Sequence, residues 1–156
     1  MTSSRVAIWA LLATVVLLGQ TPAPKIVFVC EHGAAKSIMA AAEFERMAKE
    51  QGLTFEILAR GTTPDAEIAA AVKQGLKADG MEVGAAKPVK VSAQDVKGAA
   101  KVITFGPDLS ALTNGAKVLD WSATPSPSKD YRAARDSIRK DLETLLREWK
   151  PEQTKK

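Results

Sequence analysis

The sequence predicts an α/β fold in three layers, with a doubly wound four-stranded parallel sheet between helices, and three observations carry that prediction. The runs Ile26-Val27-Phe28-Val29 and Val102-Ile103-Thr104-Phe105 are apolar or β-branched without alternation, as strands covered on both faces are. Such runs alternate with amphipathic stretches in the order strand, helix, strand, helix, helix, strand, strand, helix, which suits parallel strands joined by right-handed crossovers. The chain has 156 residues, 46% hydrophobic and 26% charged, enough for one domain with a real core and too apolar for a disordered polymer.

Taken in order, Lys25 to Val29 is the first strand and ends against Cys30. Ser37 to Gln51 follows as a helix, with Ile38, Ala41, Ala42, Phe44, Met47 and Ala48 at helical spacing. Glu45 and Lys49 form an outer i,i+4 pair, and Gly52 is the stop. Phe55 to Ala59 is the second strand and Arg60-Gly61-Thr62 the turn beyond it. Thr63-Pro64-Asp65 has the cap, N1 proline and first-turn acid of a helix start. Ile68, Val72 and Leu76 mark that helix's buried face, and Gly80 ends it. Met81 to Val91, with Gly84, Pro88 and several lysines, is a surface loop, and Ser92 to Ala99 a short helix. Val102 to Phe105 is the third strand, closed by Gly106-Pro107, and Lys117 to Trp121 a shorter fourth. Ser122 to Lys129 has two prolines and is a loop. Asp130 to Lys150 is the last helix, striped by Tyr131, Ala134, Ile138, Leu142, Leu145 and Trp149, and Pro151 is expected to end it. No internal repeat is visible.

The two ends read differently from the domain at 25–150. Met1 to Arg5 carries one positive charge, Val6 to Gly19 has none, and Gln20 to Pro24 is a small, polar, proline-containing exit. Residues 1–24 are therefore expected to be a secretory signal peptide, the apolar run being shorter than a span of about 20 residues. The protein is then exported, with the periplasm the expected compartment, and contacts no membrane after cleavage; an uncut leader would anchor it. Residues 151–156 read as a polar tail. The net charge of +4 is scattered, with no long basic run, so nucleic acid is not an expected partner.

The chemistry concentrates between the first strand and the first helix. Cys30 and His32 are the chain's single cysteine and single histidine, and Cys30-Glu31-His32-Gly33-Ala34-Ala35-Lys36-Ser37 joins them in a loop of small residues. A thiol facing a helix N-terminus sits where amides and the helix dipole favour anions, and where a thiolate nucleophile is favoured. Strand ends are also where ligands bind in open parallel sheets. The competing reading of Cys30 is a small buried hydrophobe, and that of His32 a structural hydrogen-bond partner. Glu31 is read as a rim residue. A cation at a helix start is unfavourable unless an anion lies nearby, so Lys36 points to one. One histidine with one cysteine makes no metal cluster, and neither metal nor cofactor is expected.

These residues resemble the phosphate-binding loop of the low-molecular-weight protein tyrosine phosphatases and of the thiol-dependent arsenate reductases that share their fold. The family's loop is C-x5-R-[ST], and in the reductase form, C-x-H-N-x-G-R-S-x-M-A, the positions of Cys30, His32, Ser37, Met39 and Ala40 all match. Ala59-Arg60-Gly61-Thr62, Gly80-Met81-Glu82-Val83 and Lys87-Pro88 are similar to the family's S-A-G-T, G-[IV]-[DE]-[IV] and K-P segments. Trp121 with Pro125-Ser126-Pro127, then Tyr131 to Ile138, is similar to W-x-x-P-D-P and F-x-x-x-R-D-x-I. The likeness covers about residues 25 to 149.

The resemblance implies a phosphatase-like fold, with Cys30, Lys36 and Ser37 as catalytic residues and Glu31, His32, Gly33, Ala34, Ala35 and Lys36 as the phosphate cradle. Cys30 would attack a phosphomonoester and Ser37 would orient the sulfur, while the loop amides hold the oxygens and water hydrolyses phosphocysteine. Arsenate is the alternative substrate, reduced with an external thiol. Three positions depart from the family: Lys36 replaces an arginine, Gly33 a bracing asparagine, and Ser126 the acid that protonates the leaving oxygen. An ammonium grips phosphate less specifically than a guanidinium, and a serine is no general acid near neutral pH. Asp120 and Asp130 flank the Ser126 loop as substitutes. A phosphate- or phospholigand-binding relative with weak catalysis is the reading from another class, and a redox-responsive thiol a third.

Overall fold

The computed structural model of the chain describes residues 22–153. The expected leader falls outside the described residues except for Pro22–Pro24, which lead irregularly into the sheet. Four parallel strands, β1 (Lys25–Cys30), β2 (Glu56–Gly61), β3 (Lys101–Thr104) and β4 (Val118–Asp120), lie in the order β2-β1-β3-β4. The helices are α1 (Lys36–Glu50), α2 (Ala70–Ala78), the short α3 (Ala93–Val96) and α4 (Ser110–Thr113), and α5 (Tyr131–Gln153). This is the doubly wound four-stranded parallel sheet that the apolar runs predict.

The central strand shows why its sequence does not alternate. Ile26, Phe28 and Cys30 enter a core shared with α1, α2 and α5, through residues such as Phe44, Leu76, Ile138 and Leu142. Val27 and Val29 point the other way, into a smaller core with Val91, Val96, Val102 and Leu109. Residues 26–29 are fully buried, so both faces of the pleat require apolar side chains.

The helix read over Ser92 to Ala99 is shorter, Ala93–Val96, several other bounds shift by a residue, and three further boundaries differ for a backbone reason. β2 continues two residues past Ala59, because Arg60 and Gly61 pair with Val29 and Cys30 rather than turning. The far end of the 81–91 loop then clips onto it, with Gly61 N donating to Val89 O and Val91 N to Gly61 O. α2 starts at Ala70 and not at Thr63, since the amides of Thr62, Thr63, Asp65 and Ala69 bind carbonyls of the 30–34 segment. Finally, α5 runs through Pro151 to Gln153. That proline lies in the last turn, where its missing N–H costs one bond rather than a helix interior. Asp130 stands just outside α5 as its cap, its carboxylate accepting from Ala133 N at 2.9 Å. The four-residue α4 has no counterpart in the periodicity, being too short to show one.

Candidate active site

The β1 register sets the site. Cys30 is the last residue of β1 and lies beside Gly61 of β2, at the carboxyl edge of the sheet where a parallel fold opens a crevice. The thiol is nearly buried and its Sγ lies 3.1 Å from Ser37 Oγ, a fully buried hydroxyl in the first turn of α1. Cys30 and Ser37, seven residues apart, are thus brought together by one loop. A hydroxyl there can donate to a thiolate, fix its direction and stabilise it as a leaving group.

The loop between them has a division of labour in its backbone. Its carbonyls are drawn outward: Thr62 N donates to Cys30 O, Thr63 N to Glu31 O, Asp65 N to His32 O and Ala69 N to Ala34 O, at 2.8–3.1 Å. By contrast, among the described residues no backbone N–H of residues 31–36 donates to a protein acceptor. A loop whose carbonyls are engaged and whose N–H groups are free is an anion-binding concavity, and the 15-residue α1 adds its positive end. α1 has no acidic residue in its first turn and no side-chain cap. Both features leave the positive pole uncompensated.

Gly33 makes the loop possible. Its φ is +59°, and a Cβ there would lie 2.9 Å from Gly61 N. A Cβ on Gly61 would be tighter still, 2.5 Å from Gly33 N. The two glycines let loop and strand backbones touch.

A cleft of about 280 Å³ opens over this loop. It is lined by Cys30, Glu31, His32, Ala34, Ala35 and Lys36 of the loop, by Asp65 and Ala69 beyond β2, and by Phe105 with Ser126, Pro127 and Ser128. Lys36, the first residue of α1, is half-buried, and no carboxylate pairs with it among the described residues. Glu31 is exposed at the rim, its Oε2 3.7 Å from His32 Nε2, while Asp65 Oδ1 lies 3.2 Å from His32 Nδ1.

The structure therefore gathers the loop residues and Ser126 into one cleft, with Gly33 packed behind it. The two flanking acids are elsewhere. Asp120 turns its carboxylate onto Ser122 N and Ser122 Oγ, in a separate groove beside Pro107 and Leu109, and Asp130 caps α5. Asp65 and Phe105 belong to the cleft but not to the set read from sequence. Asp65 reaches it only through the β1–β2 register. No local pattern signals this, since Thr63-Pro64-Asp65 reads as a helix start. Among the described residues no group of three His, Cys, Asp or Glu side chains converges as a metal site.

Comparison with known proteins agrees with this geometry. A family model described as low molecular weight phosphotyrosine protein phosphatase matches residues 25–108. Among solved structures, YfkJ from Bacillus subtilis superposes with a TM-score of 0.72 at 19% identity, over 86% of this chain and 99% of that one. The thioredoxin-dependent arsenate reductase Cg_ArsC1' from Corynebacterium glutamicum gives a TM-score of 0.69 at 25% identity, over 88% of this chain and 65% of that one. SP-PTP, a low molecular weight protein tyrosine phosphatase from Streptococcus pyogenes, gives 0.69 at 17% identity, covering 80% and 92% respectively. No curated protein sequence matches.

Proposed function

Because the chain belongs to the low molecular weight phosphotyrosine protein phosphatase family, we propose that it hydrolyses a phosphomonoester through a phosphocysteine on Cys30. It is a cysteine-dependent phosphatase or arsenate reductase, and the narrower choice rests on the site. The observation that carries it is the set of free amides at residues 31–36 above a thiol directed by Ser37. In this mechanism the amides and the Lys36 ammonium hold the three non-bridging oxygens, where charge stabilisation counts most. The Cys30 sulfur attacks phosphorus in line with the departing oxygen. Water then attacks phosphocysteine, and Ser37 stabilises the sulfur as the P–S bond breaks.

Arsenate fits the same cradle, and the 25% identity to an arsenate reductase supports it as a second substrate. Cys30 is the chain's single cysteine. Reduction would therefore draw its second thiol from outside, the two thiols together supplying two electrons to arsenic.

The test is turnover of p-nitrophenyl phosphate by the purified full-length chain beside Cys30→Ser. Turnover lost in the variant supports the phosphatase. Phosphate-dependent thermal stabilisation without turnover would make the protein a phospholigand-binding relative instead. Arsenate-dependent consumption of a small thiol, lost in Cys30→Ser, would support the reductase arm. Export to the periplasm is part of the same proposal, supported by the charge and apolar pattern of residues 1–24.

A further inference from the structure

A phosphomonoester's leaving oxygen departs poorly as a bare alkoxide or phenoxide, and a placed proton donor is worth about 10²- to 10⁴-fold. The cleft hydroxyls of Ser126 and Ser128 do not supply an acid near neutrality, and Asp120 and Asp130 are engaged elsewhere. What remains on the cleft wall is a contiguous row of three titratable side chains. Asp65 Oδ1 lies 3.2 Å from His32 Nδ1, and Glu31 Oε2 lies 3.7 Å from His32 Nε2.

The Asp65 side of this row makes two contacts. Its side chain meets the imidazole, and its own N–H donates to His32 O at 3.0 Å. The Glu31 contact is the longer of the two, beyond hydrogen-bond length, and all three side chains are more than half exposed. The imidazole therefore lies nearer a carboxylate at Nδ1 than at Nε2, and Nε2 is the nitrogen from which a proton can be given to a substrate.

We propose, on the phosphatase reading above, that His32 is the general acid of this site and that Asp65 is the positioning residue that orients it. As the Cys30 thiolate forms the S–P bond, the P–O bond to the leaving group breaks, and the Nε2 proton of the His32 imidazolium passes to that oxygen. His32 is then neutral, with its remaining proton on Nδ1 toward Asp65. In the second step a water oxygen bonds to phosphorus and the P–S bond breaks. The water's proton returns to Nε2, leaving phosphate, thiolate and imidazolium. Asp65 orients the ring and balances its charge, as a carboxylate does behind a catalytic imidazole.

The test compares phenyl phosphate, a poor leaving group, with p-nitrophenyl phosphate, a good one, in the unaltered full-length chain and in Cys30→Ser, His32→Gln and Asp65→Asn. Both exposed-residue variants are expected to lower kcat on phenyl phosphate about 100-fold, and to lower the phenyl to p-nitrophenyl ratio by about tenfold or more. Phosphate-dependent melting checks that each variant folds; should His32→Gln misfold, the ratio in Asp65→Asn carries the test. Equal losses on both substrates overturn the proposal, since a structural role does not sense the leaving group. A changed ratio in Asp65→Asn with none in a folded His32→Gln also overturns it. Turnover that survives Cys30→Ser, or its absence in the unaltered chain, overturns the phosphatase reading and this inference with it.

Discussion

Lys36 is the residue whose two roles pull in opposite directions. It opens α1 where the helix dipole is already positive, which costs about 0.3–1 kcal/mol at an exposed helix start and less where water screens it. Bound phosphate reverses that sign. Lys36→Met is therefore expected to raise the melting temperature of the phosphate-free protein slightly, while weakening phosphate stabilisation about tenfold in apparent Kd; a Tm series in phosphate checks both. Gly33 is less forgiving. Alanine there meets both the positive φ and the Gly61 backbone at 2.9 Å, so Gly33→Ala should cost at least about 2 kcal/mol in urea unfolding and disorder the cradle. These residues are legible in the sequence because loop, thiol and cation lie within eight positions of a change in hydrophobic period. Asp65 is not legible, since no local pattern reveals that the amide of residue 65 fastens to the carbonyl of residue 32.

At the scale of elements, the strands and long helices follow from burial, and the boundaries that depart from periodicity lie where backbone groups choose partners across the chain. Thr63-Pro64-Asp65 has every local mark of a helix start, yet its amides serve the site loop, and α2 begins at Ala70. α1, α2 and α5 are then tied by charges that periodicity does not reveal. Glu43, fully buried on α1, receives Arg46 at 2.8 Å and Arg139 of α5 at 2.8 and 3.0 Å. Arg139→Met would leave that carboxylate with Arg46 alone and is expected to lower stability by about 2–3 kcal/mol in denaturant titration, since a buried charge losing a partner is costly. Asp79, just beyond α2, accepts from Tyr131 and Arg135 of α5. Burial works against its charge, but those hydrogen bonds outweigh it and hold the carboxyl below its ordinary range. A lowered folded value means stability that is fully present above the unfolded pKa of about 3.9 and lost as pH falls through the lowered one. Asp79→Asn should therefore flatten the fall of stability below about pH 4, measured by urea unfolding across that range.

For the whole molecule, the open question is where the domain begins, and the start of the sheet limits the answer. Glu56 N donates to Pro24 O at 3.0 Å, Lys25 pairs with Glu56, and Lys25 Nζ reaches the carbonyls of Gln94 and Lys97. A cut after Lys25 would remove the first rung of β1 and its tether to α3. Pro22 and Ala23 are exposed and make no such bonds among the described residues, so processing at or before Ala23 leaves the sheet whole. Among the described residues no helix is long and apolar enough to cross a membrane. The expectation is that the chain expressed in a Gram-negative host yields a periplasmic protein whose first residue lies between 20 and 24, with Cys30-dependent activity intact. N-terminal sequencing and intact mass of the periplasmic fraction check it. Full-length mass confined to the membrane fraction would make the leader an anchor, and full-length mass in the cytoplasm would remove export from the proposal.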